Sequence, residues 1–332
     1  MSTESGRSAV EGTARGKVIL FGEHAVVYGV PAIAVGIDRG ARAWSSPLAH
    51  EPSVLRVDAW NVTVRDDGDT PLARAFRDLL SVTRDAGVAL GAVSVHADAD
   101  LPPGGGLGCS AALGVAVARA LDPAASGETI AERAGAWERV FHGNPSGVDA
   151  AVSALGGCVL FERGSEKSTI LRVRVPGVVH LCVGNSGQAS STRSMVEGVA
   201  RLRERRPEVT QKAFDAIHTL VKNARLAIEA ADRVAVGQLL DLNQMLLSGL
   251  FVSTPEIEQM CASARSAGAL GAKLTGAGGG GCVVALVDHP DVGAKVLSAW
   301  KSDGFDGFLT TFGGASEFPR RAPVFREMGG AP

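Results

Sequence analysis

The chain is 332 residues long, 45% hydrophobic and 20% charged, an ordinary globular balance with room for two domains. Lys and Arg number 33 against 35 Asp and Glu, a formal charge of -2, which argues against a general nucleic-acid or membrane-surface binder but allows a small anionic substrate held by a local basic spot. The five cysteines lie far apart with no Cys-x-x-Cys, which points to reduced core thiols rather than a zinc site or disulfide framework; the N-terminus lacks the apolar core of a signal peptide, and no apolar run reaches bilayer length, so a cytoplasmic protein is expected.

Residues 1–13 read as a disordered tail. Residues 17–21 (KVILF) and 32–37 (AIAVGI) predict buried strands on either side of Gly22–Pro31, and 54–65 alternate weakly, as a strand or hairpin would. Helical spacing covers 72–86, and 91–97 alternates like a half-buried strand. LPPGGGLGCSAALGVAVARAL is a turn followed by a helix that ends at Asp122-Pro123, and a second helix over roughly 128–141 leads into the loop HGNPSGVD. The character shifts near Pro176: VVHLCVGN predicts a strand, and helices follow at about 192–206, 210–231, 233–249 and 255–267. KLTGAGGGGCVVALV reads as strand, glycine-rich loop, strand; a last helix near 291–302 and a Gly-Pro-rich tail complete the chain. No repeat of fixed period is present. Strands and helices mix without strict alternation, which favours α+β, with one domain over 14–175, a second over 176–318 and a tail over 319–332.

Two glycine-rich elements carry chemistry. In Pro103-Gly104-Gly105-Gly106-Leu107-Gly108-Cys109-Ser110, glycines allow positive φ and a close backbone approach, and the helix that follows offers unpaired N–H groups to an anion. Ser110 in the first turn suits either a helix cap or a ligand of nucleotide-bound Mg²⁺. No Gly-Lys-Ser/Thr follows, so this is no Walker A motif, and Cys109 occupies the place of the last Rossmann glycine. Gly276-Ala277-Gly278-Gly279-Gly280-Gly281 matches G-x-G-x-x-G by count but precedes a strand instead of opening a helix, which argues against a dinucleotide site. Two distant glycine loops suit a nucleotide clasped between two domains.

Around them stand Lys17 at the head of a strand, Glu23, His24, Glu138 on a charged helix and Asp149 closing HGNPSGVD. Singly, each has a bland reading as a solvated terminus, a structural histidine, a solvated face or a turn former. Together they supply what phosphoryl transfer requires: a cation, a carboxylate for the acceptor hydroxyl and oxygen ligands for Mg²⁺. No G-x-S-x-G and no His-Glu-x-x-His is present.

Three segments resemble the GHMP small-molecule kinases, and within them the branch that phosphorylates mevalonate: GKVILFGEHAVVYGVPAIA (16–34), LPPGGGLGCSAAL (101–113) with HGNPSGVDAAVS (142–153), and KLTGAGGGGC (273–282). NSGQASSTRSMVEGV (185–199), NQMLL (243–247) and STPEIE (253–258) resemble the family more weakly. The resemblance runs in order from about residue 14 to 313. It implies a two-domain α+β fold, with an N-terminal domain of the ribosomal-S5-domain-2 type, a ferredoxin-like C-terminal domain and the site between them.

By the same resemblance, Asp149 is the catalytic carboxylate that orients and deprotonates the 5-hydroxyl of mevalonate, and Lys17 pairs with it and stabilises the transferring phosphoryl. Pro103, Gly104, Gly105, Gly106, Leu107, Gly108, Cys109, Ser110 and Ala111 would hold ATP; Ser110 and Glu138 would ligate Mg²⁺. Glu23, His24, Thr192, Gly276, Ala277 and Gly278 fall on the substrate side. The implied partners are mevalonate and ATP, with a homodimer allowed and no nucleic acid or membrane. Cys109 stands where the family most often has Ser, and Ser190 where many relatives carry Arg. The alternatives are a kinase for a related alcohol, such as phosphomevalonate or a sugar, and a non-catalytic sensor on the same fold.

Overall fold

In the computed structural model, which describes residues 10–101, 105–143, 145–164, 168–188 and 191–314, two sheets meet along one seam. The first is organised by β2 (Ala32–Pro47), buried through AIAVGI and alternating from Ala41 onwards. β1 (Val10–Phe21) runs antiparallel beside it. β5 (Val93–Ala99) pairs with the C-terminal part of β2, and β6 (Cys158–Glu162) with its N-terminal part. β3 (Val54–Val57) and β4 (Val62–Arg65) form a hairpin, and β7 (Thr169–Val173) completes the order β4-β3-β5-β2-β6-β7, with β1 on β2.

Residues 10–13, expected in the tail, begin β1 instead. Val10 to Arg15 pair with Ser45 to Gly40, because the long β2 would otherwise leave its outer N–H and C=O groups unpaired. Residues 1–9 and 319–332 of the expected tails lie outside the described residues.

Four helices accompany this sheet: α1 (Pro71–Asp85), α2 (Cys109–Leu121), α3 (Gly127–His142) and α4 (Val148–Leu155). α2, made of small and aliphatic residues, is buried almost all round and packs on β1 and β2. α3 lies against it, with the fully buried Trp137 over Gly114. α4 corrects the reading of Asp149 as a loop residue: the turn ends at Gly147, and Asp149 lies in the first turn of a helix.

The second sheet contains β8 (Val178–Asn185), β9 (Gly271–Thr275), β10 (Cys282–Val287) and β11 (Asp306–Gly313), all antiparallel in the order β11-β8-β10-β9. Between β8 and β9 run α5 (Thr192–Arg205), α6 (Pro207–Glu229), α7 (Arg233–Gly249) and α8 (Pro255–Ser266); α9 (Pro290–Ser302) links β10 to β11. Strand, helices, two strands, helix, strand in this spatial order is a ferredoxin-like arrangement. The α+β class expected from the sequence is the class observed. β7 and β11 were not legible; β11 is an alternating Thr- and Phe-containing strand completed by its ladder to β8. All five cysteines are buried and free. No helix among the described residues is long and apolar enough to cross a membrane.

The contact between α2 and α3 is tight. A Cβ on Gly114 would stand 2.8 Å from the Trp137 ring, so Gly114→Ala should push α3 away from α2 and destabilise the fold by about 1–3 kcal/mol, the usual overpacking cost. Urea unfolding measures this; an unchanged midpoint would contradict the packing.

Candidate active site

The ladder between β1 and β2 slips between Arg15 and Lys17 and again between Ile19 and Phe21. Such irregularities re-aim side chains. Lys17, expected at a strand head, lies inside β1 and is only 3% exposed. Its Nζ is 3.0 Å from Asp149 Oδ1 and donates to Gly106 O at 3.0 Å, while its N–H donates to Leu107 O at 2.9 Å. The first glycine loop is thus tied to the lysine twice. Gly108 is required by the same contact: its φ is +72°, and a Cβ there would come 2.9 Å from Lys17 Cγ.

The helix starts differ in a telling way. α1, α3, α5, α7 and α8 open on Thr70, Ser126, Ser191, Asp232 and Thr254, each accepting a backbone N–H through its side chain. α2 and α4 open on left-handed Gly108 and Gly147 with no side-chain cap. The first amides of α2 therefore remain available to an anion, whereas Val148 N–H at the start of α4 donates to Ser146 Oγ at 3.4 Å; the positive ends of both helices lie near Lys17. Asp149 lies in the first turn of α4 and remains 33% exposed, reachable by a substrate. Gly105, Gly106, Leu107, Cys109 and Ala111 line this loop and turn; Pro103 and Gly104 lie outside the described residues. Cys109 is buried, with its thiol against Leu101 O at 3.7 Å and pushed up to about 11 by burial, a packing residue.

Ser110 does not cap α2. Its hydroxyl donates to Glu138 Oε1 at 2.7 Å and lies 3.3 Å from Trp137 Nε1, which donates to it. Glu138, 3% exposed, does not belong to a solvated face. Burial raises its carboxyl to about 7, with Asp149 adding to the rise and Ser110 and Lys17 opposing it. His142, one turn later, stands 3.6 Å from Glu138 Oε2. The hydroxyl and carboxylate oxygens suit a hard cation such as Mg²⁺, which takes one or two protein oxygens and completes its shell with phosphates and water. Among the described residues no cluster of three His, Cys, Asp or Glu side chains could hold a metal alone.

The second glycine loop faces the first. A Cβ on Gly106 would lie 3.5 Å from Thr275 O, and one on Gly276 would lie 3.5 Å from Gly106 O. His24 Nε2 is 2.8 Å from Ala277 O. A carbonyl only accepts, so Nε2 carries the proton; burial holds the imidazole below its usual range against the bond to Ala277, with Lys273 adding to the depression. Glu23 departs from expectation. Its side chain has no exposed surface, because Lys273 Nζ donates to Oε1 and Asn243 Nδ2 donates to Oε2 at 3.2 Å. Both of its oxygens are committed inside the seam between the sheets. Gly278 packs on Val252 O, and Thr192 is the exposed first residue of α5. Asn144 and Ser190 lie outside the described residues.

Sequence reasoning missed Lys273, Thr275 and Asn243. Thr275 Oγ1 accepts from Ile19 N and donates to Ile19 O, both at 3.0 Å. The available signal was a lysine in the apolar strand GAKLT, buried at every position.

The raised Glu138 carboxyl gives a pH signature in metal-free protein. Between its ordinary value of 4.5 and about 7 the native state keeps a proton that the unfolded chain releases, so stability falls as pH rises through that window and levels above it. With EDTA present, the difference in unfolding free energy between wild type and Glu138→Gln should decline from pH 5 to 7.5 at up to about 1.4 kcal/mol per pH unit. A flat difference in urea unfolding would contradict the burial of this carboxyl.

Comparison with known proteins places this geometry in a family. The pattern described as GHMP kinases N terminal domain matches residues 72–157, and that described as GHMP kinases C terminal matches residues 224–306. A mevalonate kinase of Thermococcus onnurineus (strain NA1) is 34% identical over 311 residues, covering 86% of this chain and 91% of that protein. The crystal structure of L. major mevalonate kinase in complex with R-mevalonate superposes with a TM-score of 0.79 at 29% identity, covering 96% of this chain and 100% of that one. Streptococcus pneumoniae phosphomevalonate kinase in complex with phosphomevalonate and AMPPNP shares the fold, with a TM-score of 0.77 at 19% identity over 91% of this chain and 98% of that one. The chain belongs to the GHMP kinases, and within them to the mevalonate kinases.

Proposed function

We propose that this protein transfers the γ-phosphoryl group of ATP to the 5-hydroxyl of mevalonate, giving 5-phosphomevalonate and ADP in the mevalonate route to isoprenoids. The observation that carries the reading is the Lys17–Asp149 pair at 3.0 Å, held where the uncapped starts of α2 and α4 meet, in a chain 34% identical to a mevalonate kinase.

Asp149, partly open to solvent and at the start of α4, accepts the proton of the 5-hydroxyl as the alcohol oxygen bonds to phosphorus and the bond to the ADP oxygen breaks. Lys17 fixes the rotamer of Asp149 and presents its charge to the transferring group, a buried and preorganised cation. The amides at the start of α2 hold ATP phosphates. Ser110 and Glu138 would hold Mg²⁺, which when bound neutralises charge on the phosphates. Neutral His24, its Nε2–H committed to Ala277, has an acceptor at Nδ1 and suits a substrate hydroxyl. Gly276, Ala277 and Gly278 shape the opposite wall.

A substrate panel of mevalonate, phosphomevalonate and galactose with ATP and Mg²⁺, read by ADP release, should give mevalonate the highest kcat/KM; a larger value for another alcohol would reassign the substrate. Asp149→Asn should lower kcat by roughly 10²–10⁴-fold, the range of a general base, with ATP affinity nearly unchanged. Near-wild-type turnover would remove Asp149 from that role.

A further inference from the structure

Lys273 has no exposed surface, so it reaches no ligand, yet it is an ammonium group in the middle of a strand whose other residues are Gly, Ala, Leu and Thr. A buried ion pair is weak evidence of stabilisation, because apolar residues of similar volume often serve the fold as well or better. The pair must therefore be read by what it orients. Glu23 has both oxygens occupied, one by Lys273 and one by Asn243 of α7. The next residue, His24, sits at φ 60° and ψ -49°, a strained conformation for any residue but glycine, which persists only where the surroundings over-determine it. Its imidazole is then gripped by Ala277 O, four residues beyond Lys273 on the same strand-and-loop segment. Thr275, between them, is locked to Ile19 by two hydrogen bonds.

We propose that Lys273 is a positioning residue for the phosphotransfer reaction: acting through Glu23, it holds the strained His24 turn in register with the second glycine loop, and so places the acceptor alcohol. The inference rests on the reading that the His24 turn lies on the substrate side.

The test is a double-mutant cycle with Lys273→Met, Glu23→Gln and both together. The expected result is a KM for mevalonate raised roughly ten- to a hundredfold in each variant, the scale of a misplaced contact, with the double variant no worse than the worse single. KM for ATP should move by less than about twofold, since uniform loss of folded protein changes neither constant. In the substrate-free protein, the ¹⁵N resonances of the His24 imidazole should shift in all three variants. If Lys273→Met alone fails to fold, the double variant, which buries no unpaired charge, still carries the measurement. A folded double variant with wild-type KM and an unmoved His24 signal would overturn the proposal and leave the pair a folding role. Additive effects on KM would overturn it too, by making Lys273 act independently of Glu23. A shifted His24 signal with unchanged KM would overturn it by removing the turn from the substrate side, while the ADP-release panel would still stand.

Discussion

One seam makes a single cleft out of two sheets, and its core is the ion pair between Glu23 and Lys273, sealed from solvent on both sides. Breaking such a pair by removing one partner costs about 3–5 kcal/mol, a large fraction of the roughly 5–15 kcal/mol that separates a folded domain from its unfolded chain. Around it, Thr275 brackets Ile19, His24 meets Ala277, and Asp38 and Arg39 of β2 engage Thr310 and Phe308 of β11. These contacts leave the two glycine loops within van der Waals reach of each other. Side chains at Gly106 or Gly276 would occupy the space between them. The wall that carries the first glycine loop and the wall that carries the His24 turn are therefore set by the same few buried bonds.

Lys17 depends on that frame. A cation this buried requires partners, and it has the Asp149 carboxylate and the Gly106 carbonyl, which must also offset the positive ends of two nearby helices. Glu138 lies close enough to Asp149 for their charges to oppose each other, which with burial lifts its carboxyl to about 7. The buried carboxyl of Glu138 therefore keeps its proton to a higher pH than an exposed one, beside the hydroxyl of Ser110.

Much of this was legible from residues alone. The helix after Gly108 follows from its small apolar composition, and the α+β class from the order of periodic segments. The resemblance carried Lys17, Ser110, Glu138 and Asp149 to positions that the fold brings together. What escaped did so for physical reasons. The first residues of β1, VEGT, carry no run of apolar side chains and become strand because β2 is there to pair with them. α4 has eight residues and follows a run of Gly and Pro, so turn signals outweighed its helical content. The family resemblance puts Glu23 on the substrate side; its partner Lys273 is 250 residues away in sequence, and no local pattern reveals a pairing of that range.

Identification of the product tests the central claim most directly. Mevalonate incubated with ATP, Mg²⁺ and this protein should yield a single phosphomonoester whose ³¹P signal is split by the two protons of the adjacent methylene group, the signature of phosphate on the primary 5-hydroxyl. A phosphorus signal without that coupling would place the phosphoryl group on the tertiary alcohol. ADP formed with no phosphomonoester at all would mean that water, not the alcohol, is positioned beside Asp149. Either result would contradict the account.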